Sequence, residues 1–135
     1  MLSRTSRHAL NILGYLVRHP DERRRGEEIA RATGVPANYL SKILNHLRKE
    51  GIVESEKGWG GGFRLRPQAR RRPIREILAI FDGPESTKRQ DCLFGLPRCD
   101  GRNPCPLHHY WERIRDVHAR MLSETLVEDL ARRSG

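Results

Sequence analysis

GEEIARATGVPANYLSKILNHLRKEG, residues 26–51, is the stretch that decides the fold. It predicts two helices with a tight break between them. The first covers about 27–33 and turns Ile29 and Ala30 inward. Gly34 supplies the turn, and Pro36 suits the first position of the helix that follows. That second helix runs to about Glu50. Leu40, Ile43, Leu44 and Leu47 repeat at i, i+3, i+4, i+7, one apolar stripe committed to a core. Gly51 ends it as a residue free to take a left-handed conformation. Two short helices broken by a turn form the unit in which the second helix fits a DNA major groove.

The flanks extend this pattern. Upstream, 6–18 reads as a helix capped by Ser6, with Ala9, Ile12, Leu13 and Leu16 on one side and His19-Pro20 as its stop. A charged turn, DERRRG, leads into the quoted stretch. Downstream, IVESEKGWGGGFRL predicts a β-hairpin, Ile52-Val53 opening one strand and Phe63-Arg64-Leu65 the other. An Arg-rich loop with Arg70, Arg71 and Arg72 follows, and Pro73 opens a helix over 73–81 with Ile74, Ile77, Leu78 and Phe81 inward. Residues 82–104 read as loop. A long helix starts near Pro106 and carries Leu107, Trp111, Ile114, His118 and Met121 on one face, with Val117 and Leu122 beside it. TLVEDL reads as a short final turn capped by Thr125. The class is therefore mainly α with a small β-hairpin wing.

Charge points to the partner. The chain of 135 residues has a net charge of +9. Residues 1–75 hold 17 Lys and Arg against 7 Asp and Glu, whereas 76–135 hold 9 against 10. A basic half beside a neutral one is built to meet a polyanion. Membrane surface is a poor match, because the Arg runs lie in short loops and not on an amphipathic helix with bulky apolar anchors. The beginning of the chain lacks an apolar signal core, and no run reaches the roughly 20 apolar residues that span a bilayer, so a cytoplasmic location is expected. Hydrophobic residues make up only 36%, so a chain this small gains from the extra burial of a dimer.

The polar face of the second helix holds Asn38, Tyr39, Ser41, Lys42 and Asn45. Asn and Lys can read purine edges, Ser reads more loosely, and Tyr39 suits sugar or phosphate. At the hairpin tip, Lys57, Gly58 and Trp59 suit approach to a narrow minor groove, where the glycines let backbone come close. A phosphate-binding loop is excluded, since GWGGGF lacks the Lys-Ser/Thr pair and precedes a strand. Arg4, Arg7, Arg23, Arg24, Arg25 and Arg64 are candidates for phosphate contacts, which position a protein without reading sequence.

All three cysteines lie in the run Cys92-x6-Cys99-x5-Cys105-x2-His108. An odd number of thiols in a reducing compartment argues against disulfides. Three alternatives stand, in this order of fit. Thiolates, with an imidazole in place of one, bind iron–sulfur clusters. A metal-free thiol switch is the second. Structural zinc is the third, although zinc fingers bring two cysteines two to four residues apart and no such pair exists here. Cys105 with His108 or His109 as nucleophile and base is set aside, because the spacing is that of ligands and no oxyanion loop accompanies it. No enzyme is expected.

SRHALNILGYL, the stretch 26–53, the wing GWGGGFRL, the helix IREILAIFDG and the segment ending CPLH together resemble the Rrf-two (Rrf2) family of bacterial transcriptional regulators, over nearly the whole length. The resemblance implies a winged helix-turn-helix plus a long C-terminal dimerisation helix, and a homodimer on a double-stranded, partly palindromic DNA operator. It divides the chain into a DNA-binding domain, 1–82, a cysteine-bearing sensor loop, 83–105, and a dimerisation helix with C-terminal turn, 106–135. Recognition contacts then fall on Asn38, Tyr39, Ser41 and Lys42, and wing contacts on Lys57 and Gly58. Trp59 stands where some members carry a proline. IscR-like members imply a two-iron, two-sulfur cluster on Cys92, Cys99, Cys105 and His108, although this chain has one more residue between its first two cysteines. NsrR-like members imply a four-iron, four-sulfur cluster with an N-terminal Asp. Here that place falls near Arg7-His8, and no Asp precedes Asp21, which favours His108, with His8 as an outside candidate and His109 a nearer one. The expected mechanism is a redox, nitric oxide or iron–sulfur sensor whose metal site alters operator affinity.

Overall fold

A computed structural model describes residues 2–83, 92 and 99–132. The elements run α1 (Arg4–Arg18), α2 (Gly26–Thr33), α3 (Ala37–Lys49), β1 (Val53–Glu56), β2 (Gly62–Leu65), a 3-10 turn (Pro67–Arg71), α4 (Ile74–Asp82), α5 (His108–Glu124) and a last 3-10 turn (Val127–Ala131). The winged helix-turn-helix is the architecture expected.

The inward stripes of α1, α2 and α3 meet in one core. Ile12, Leu13, Leu16, Ile29, Leu44 and Leu47 are almost wholly buried there, joined by Ile52 and Val53 at the base of the hairpin. Gly34 closes α2 with φ +74°, a left-handed turn that an L side chain would strain. The hairpin is antiparallel, from Val53 opposite Leu65 to Glu56 opposite Gly62.

Several local expectations are corrected. Ser3, not Ser6, caps α1, its side chain accepting from the Ser6 amide; Ser6 lies inside the helix, fully buried. Pro36 is the N-cap of α3 instead of its first residue. The Arg-rich stretch after the hairpin coils into a 3-10 turn over Pro67–Arg71 because Ala69 is buried against the core. DERRRG is more than a turn: Arg24 and Phe63 exchange backbone hydrogen bonds of 2.8 and 2.7 Å, adding a one-residue third strand to the hairpin.

The chain's end returns to the core. Thr125 terminates α5 and its carbonyl accepts from the Ile74 amide at 2.9 Å, so it is not the cap of the final turn. That turn is held by Asp129, whose carboxylate accepts from the Leu126 amide at 2.8 Å. Val127 is fully buried beside α1, and its amide donates to the Arg72 carbonyl at 2.9 Å. These bonds fix the C-terminal end of α5 to the start of α4, where Leu122 packs with Ile74 and Leu78.

Candidate DNA interface and thiol centre

The polar residues of α3 stand clear of the core. Asn38, Tyr39, Ser41, Lys42 and Asn45 are all exposed, on the side opposite Leu40, Ile43, Leu44 and Leu47. The surface continues to both sides. The His8 ring of α1 lies 5.9 Å from the ring of Tyr39, so the first turns of α1, with exposed Arg4 and Arg7, border the start of α3. On the other flank, a cleft between α3 and the hairpin is lined by Ser41, Asn45 and Arg48 from the helix and by Ser55 and Phe63 from the strands. The structure thus sets the start of α1 and the strands of the hairpin on either side of α3.

The basic residues divide into two groups. Arg64 is committed to its cross-strand neighbour, its Nε donating to Glu54 at 2.9 Å. Arg23 lies 3.6 Å from Glu54 and 3.4 Å from Glu56, and Arg24 lies 3.6 Å from Glu28. These three, candidates for phosphate, are paired with carboxylates: Arg23 and Arg64 with those of β1, and Arg24 with Glu28 of α2. The hydrogen bond from Arg64, helped by the nearby charges of Arg23 and Arg66, holds the Glu54 carboxyl below its ordinary pKa against the opposing effect of burial. Arg25 differs, since its Nη2 donates to the Gly58 carbonyl at 3.2 Å and ties α2 to the wing tip.

Two of the wing's glycines answer to the protein's own backbone. A Cβ on Gly61 would stand 2.4 Å from the Glu56 carbonyl oxygen, and one on Gly62 would stand 2.5 Å from that of Arg24. The sequence reading assigned the polyglycine run to close approach by DNA. For these two the close approach is internal, forced by the tight turn and by the third strand. Gly58 and Gly60, at φ +86° and +72°, have open space around them.

The three cysteines converge. Their sulfurs lie within 4.8 Å of one another, with Cys92 and Cys105 4.0 Å apart. His108, the first residue of α5, is buried to 7% exposure, and its Nδ1 lies 3.4 Å from Cys99 Sγ. The turn that makes this possible is built by Asp100. Its carboxylate accepts from the amides of Arg102 and Asn103 at 2.8 and 2.9 Å, which keeps it below the usual carboxylate range and folds Cys99 back toward Cys105. The Cys105 amide donates to Cys99 Sγ at 3.4 Å. That bond favours the thiolate, but burial and the two neighbouring thiols outweigh it, so the metal-free Cys99 thiol sits above its ordinary value. Three sulfurs that can face one point fit a thiolate-bound metal centre, and the His108 ring lies beside one of them, Cys99. His109 is exposed and its ring stands edge-on to that of His108 at 5.6 Å. His8 lies instead beside α3.

On α5, Ile114, Val117 and Met121 are 45, 63 and 43% exposed although apolar, and Tyr110 is 67% exposed. Tyr110, Ile114, Val117 and Met121 fall at helical spacing and form one stripe. Sequence reading found three of them and missed Tyr110, four residues before Ile114, whose position carried the signal. Among the described residues no helix is long and apolar enough to cross a membrane.

Comparison with known proteins agrees with this picture. Residues 2–133 match the family model Rrf2, described as an iron-dependent transcriptional regulator. An Aquifex aeolicus protein classed with the HTH-type transcriptional regulators is 33% identical over 96% of this chain and 90% of its own length. The regulator IscR of Photorhabdus laumondii is 31% identical over 76% of this chain, a match that spans 61% of that relative. Among solved structures, CymR, the global cysteine regulator of B. subtilis, superposes with a TM-score of 0.78 at 26% identity, covering 97% of this chain and 95% of its own. The IscR structure from T. potens shares the fold, with a TM-score of 0.70 over 96% of this chain and 85% of its own.

Proposed function

This chain belongs to the Rrf2 family of transcriptional regulators, and on that premise we propose that it is a homodimeric, metal-dependent sensor that binds a partly palindromic DNA operator. One observation carries the sensing part: three thiols and the His108 imidazole are gathered at the start of α5, next to the stripe that would pair two subunits.

Each part of the chain has its role. Asn38, Ser41 and Lys42 read base edges from α3, and Tyr39 with Arg4 and Arg7 meets sugar and phosphate. Lys57, Gly58 and Trp59 meet the minor groove. Tyr110, Ile114, Val117 and Met121 pack against their copies in the second subunit, fixing the distance between two recognition helices. Cys92, Cys99, Cys105 and His108 would hold an iron–sulfur cluster, which would supply reversible electron transfer and reactivity toward oxidants. The protein's part is to bind that group, keep the His108 ring buried beside Cys99, and tie residues 99–108 to α5. A bound group would tie Cys99 and Cys105 together across the turn that Asp100 holds, at the start of α5. A state-dependent change in helix separation gives the two DNA affinities that any such switch requires.

A second reading rests on a specific distance. Four donors around one tetrahedral zinc, at about 2.3 Å Zn–S, stand about 3.8 Å apart. The 4.0 Å between Cys92 and Cys105 is close to that. Anaerobic purification followed by iron, sulfide and zinc analysis and a visible spectrum decides between the two. Iron and sulfide with visible absorption support the cluster; stoichiometric zinc without colour supports the second reading. A metal-free, colourless product that binds DNA normally leaves only a thiol switch.

A further inference from the structure

Trp59 is the most exposed large hydrophobic side chain among the described residues, at 103% of its extended reference. Scattered exposed apolar residues are ordinary on a protein surface. This one is placed differently. It caps a hairpin whose tip is pinned from two directions: the Arg25 guanidinium donates to the Gly58 carbonyl at 3.2 Å, and the Gly61 amide donates to the same carbonyl at 3.0 Å. The base of the hairpin is fastened by the Arg24–Phe63 backbone pair. On either side Gly58 and Gly60 leave bare space, with no atom within 4 Å of where a Cβ would be. The indole therefore projects from a braced tip with slim shoulders, and exposed Lys57 stands next to Gly58.

A flat apolar plate held out on a narrow neck between cations is shaped to enter a duplex where phosphates flank a base stack. Apolar side chains inserted from the minor groove part a base step and kink the helix toward the major groove. We propose that Trp59 is such a wedge, inserted at one base step by each wing of the dimer, so that part of the operator's sequence preference is for a step that unstacks easily. Pyrimidine–purine steps do so most readily, and they would be selected without any hydrogen bond to their bases. The wedge rests on the DNA-binding reading of the wing given above, and adds to it a defined bend and a defined residue. The charge of the surroundings chooses DNA over an apolar protein partner: the half of the chain that carries Trp59 has 17 Lys and Arg against 7 Asp and Glu.

The test uses the full-length dimer and a duplex that the wild-type protein selects from a random-sequence pool. Donor and acceptor dyes on the two ends report the bend by energy transfer, and titration reports affinity. The wild-type complex should shorten the end-to-end distance. Trp59→Ala should straighten the duplex and bind about tenfold or more weakly, the scale of one lost base–aromatic contact. Trp59→Leu, which keeps an apolar wedge, should retain most of the bend. A straight wild-type complex, or a bend unchanged in Trp59→Ala, overturns the wedge while leaving DNA binding by the wing intact. Failure of the wild-type protein to select any duplex overturns both.

Discussion

The hydroxyl of fully buried Ser6 donates to Asp82 Oδ2 at 2.5 Å, joining the first turns of α1 to the last residue of α4. Ser3 donates to the other oxygen of the same carboxylate at 2.6 Å. Asp82 thus ends α4 while gripping the helix that carries Arg4 and Arg7. Asp82→Ala strands a buried hydroxyl and should cost about 1–3 kcal/mol in urea unfolding at fixed protein concentration. Ser6→Ala together with Asp82→Ala should cost less than the sum of the two singles, because they share one interaction.

Glu54 makes stability depend on acid. Its carboxyl is held below the ordinary 4.5, chiefly by the hydrogen bond from Arg64. A folded-state value lower than the unfolded one contributes stability that is fully present above about 4.5 and is lost as pH falls through the folded value. Glu54→Gln should therefore show a flatter stability profile than wild type on the acid side. An identical acid slope in the two proteins, measured by denaturant midpoints, would contradict this assignment.

The wing glycines should not be equivalent. Gly61→Ala drives a Cβ against the Glu56 carbonyl and should cost about 1–3 kcal/mol, with faster amide exchange through β1 and β2. Gly58→Ala meets open space and carries only the strain of a positive φ, so its effect should be the smaller.

Much of this was legible in the sequence, and the exceptions have a common cause. The stripes Ala9–Ile12–Leu13–Leu16 and Leu40–Ile43–Leu44–Leu47 gave α1 and α3, because burial along a helix leaves a periodic mark. The three cysteines with His108 stood out by spacing alone. What stayed hidden depends on partners far along the chain. Ser6 reads as a cap until Asp82 takes its hydroxyl, and Thr125 until Ile74 takes its carbonyl. That Arg64 pairs with Glu54 across the strand was not legible either. The glycine run was read for its flexibility, while two of its members are required by backbone from Glu56 and Arg24.

The stripe on α5 predicts an assembly. Val117 is 63% exposed in one subunit and lies amid Tyr110, Ile114 and Met121. Val117→Glu buries a charge in the paired state and should leave a monomer by sedimentation at micromolar concentration. One monomer holds one half-site, so operator affinity should fall by about 100-fold or more as the second contact is lost. A dimer that survives this change with full affinity would place the pairing surface elsewhere.

The centre at Cys92, Cys99, Cys105 and His108 matters only if its occupant changes how tightly DNA is held. The direct measurement is the dissociation constant for one selected duplex, at one salt concentration, before and after the metal is removed from the same anaerobic preparation by chelation. The two values should differ by about 5- to 150-fold, the range of typical couplings between sites, and His108→Ala should abolish the difference. Equal constants, with metal loss confirmed by analysis, would mean that the thiol centre does not govern the reading of DNA.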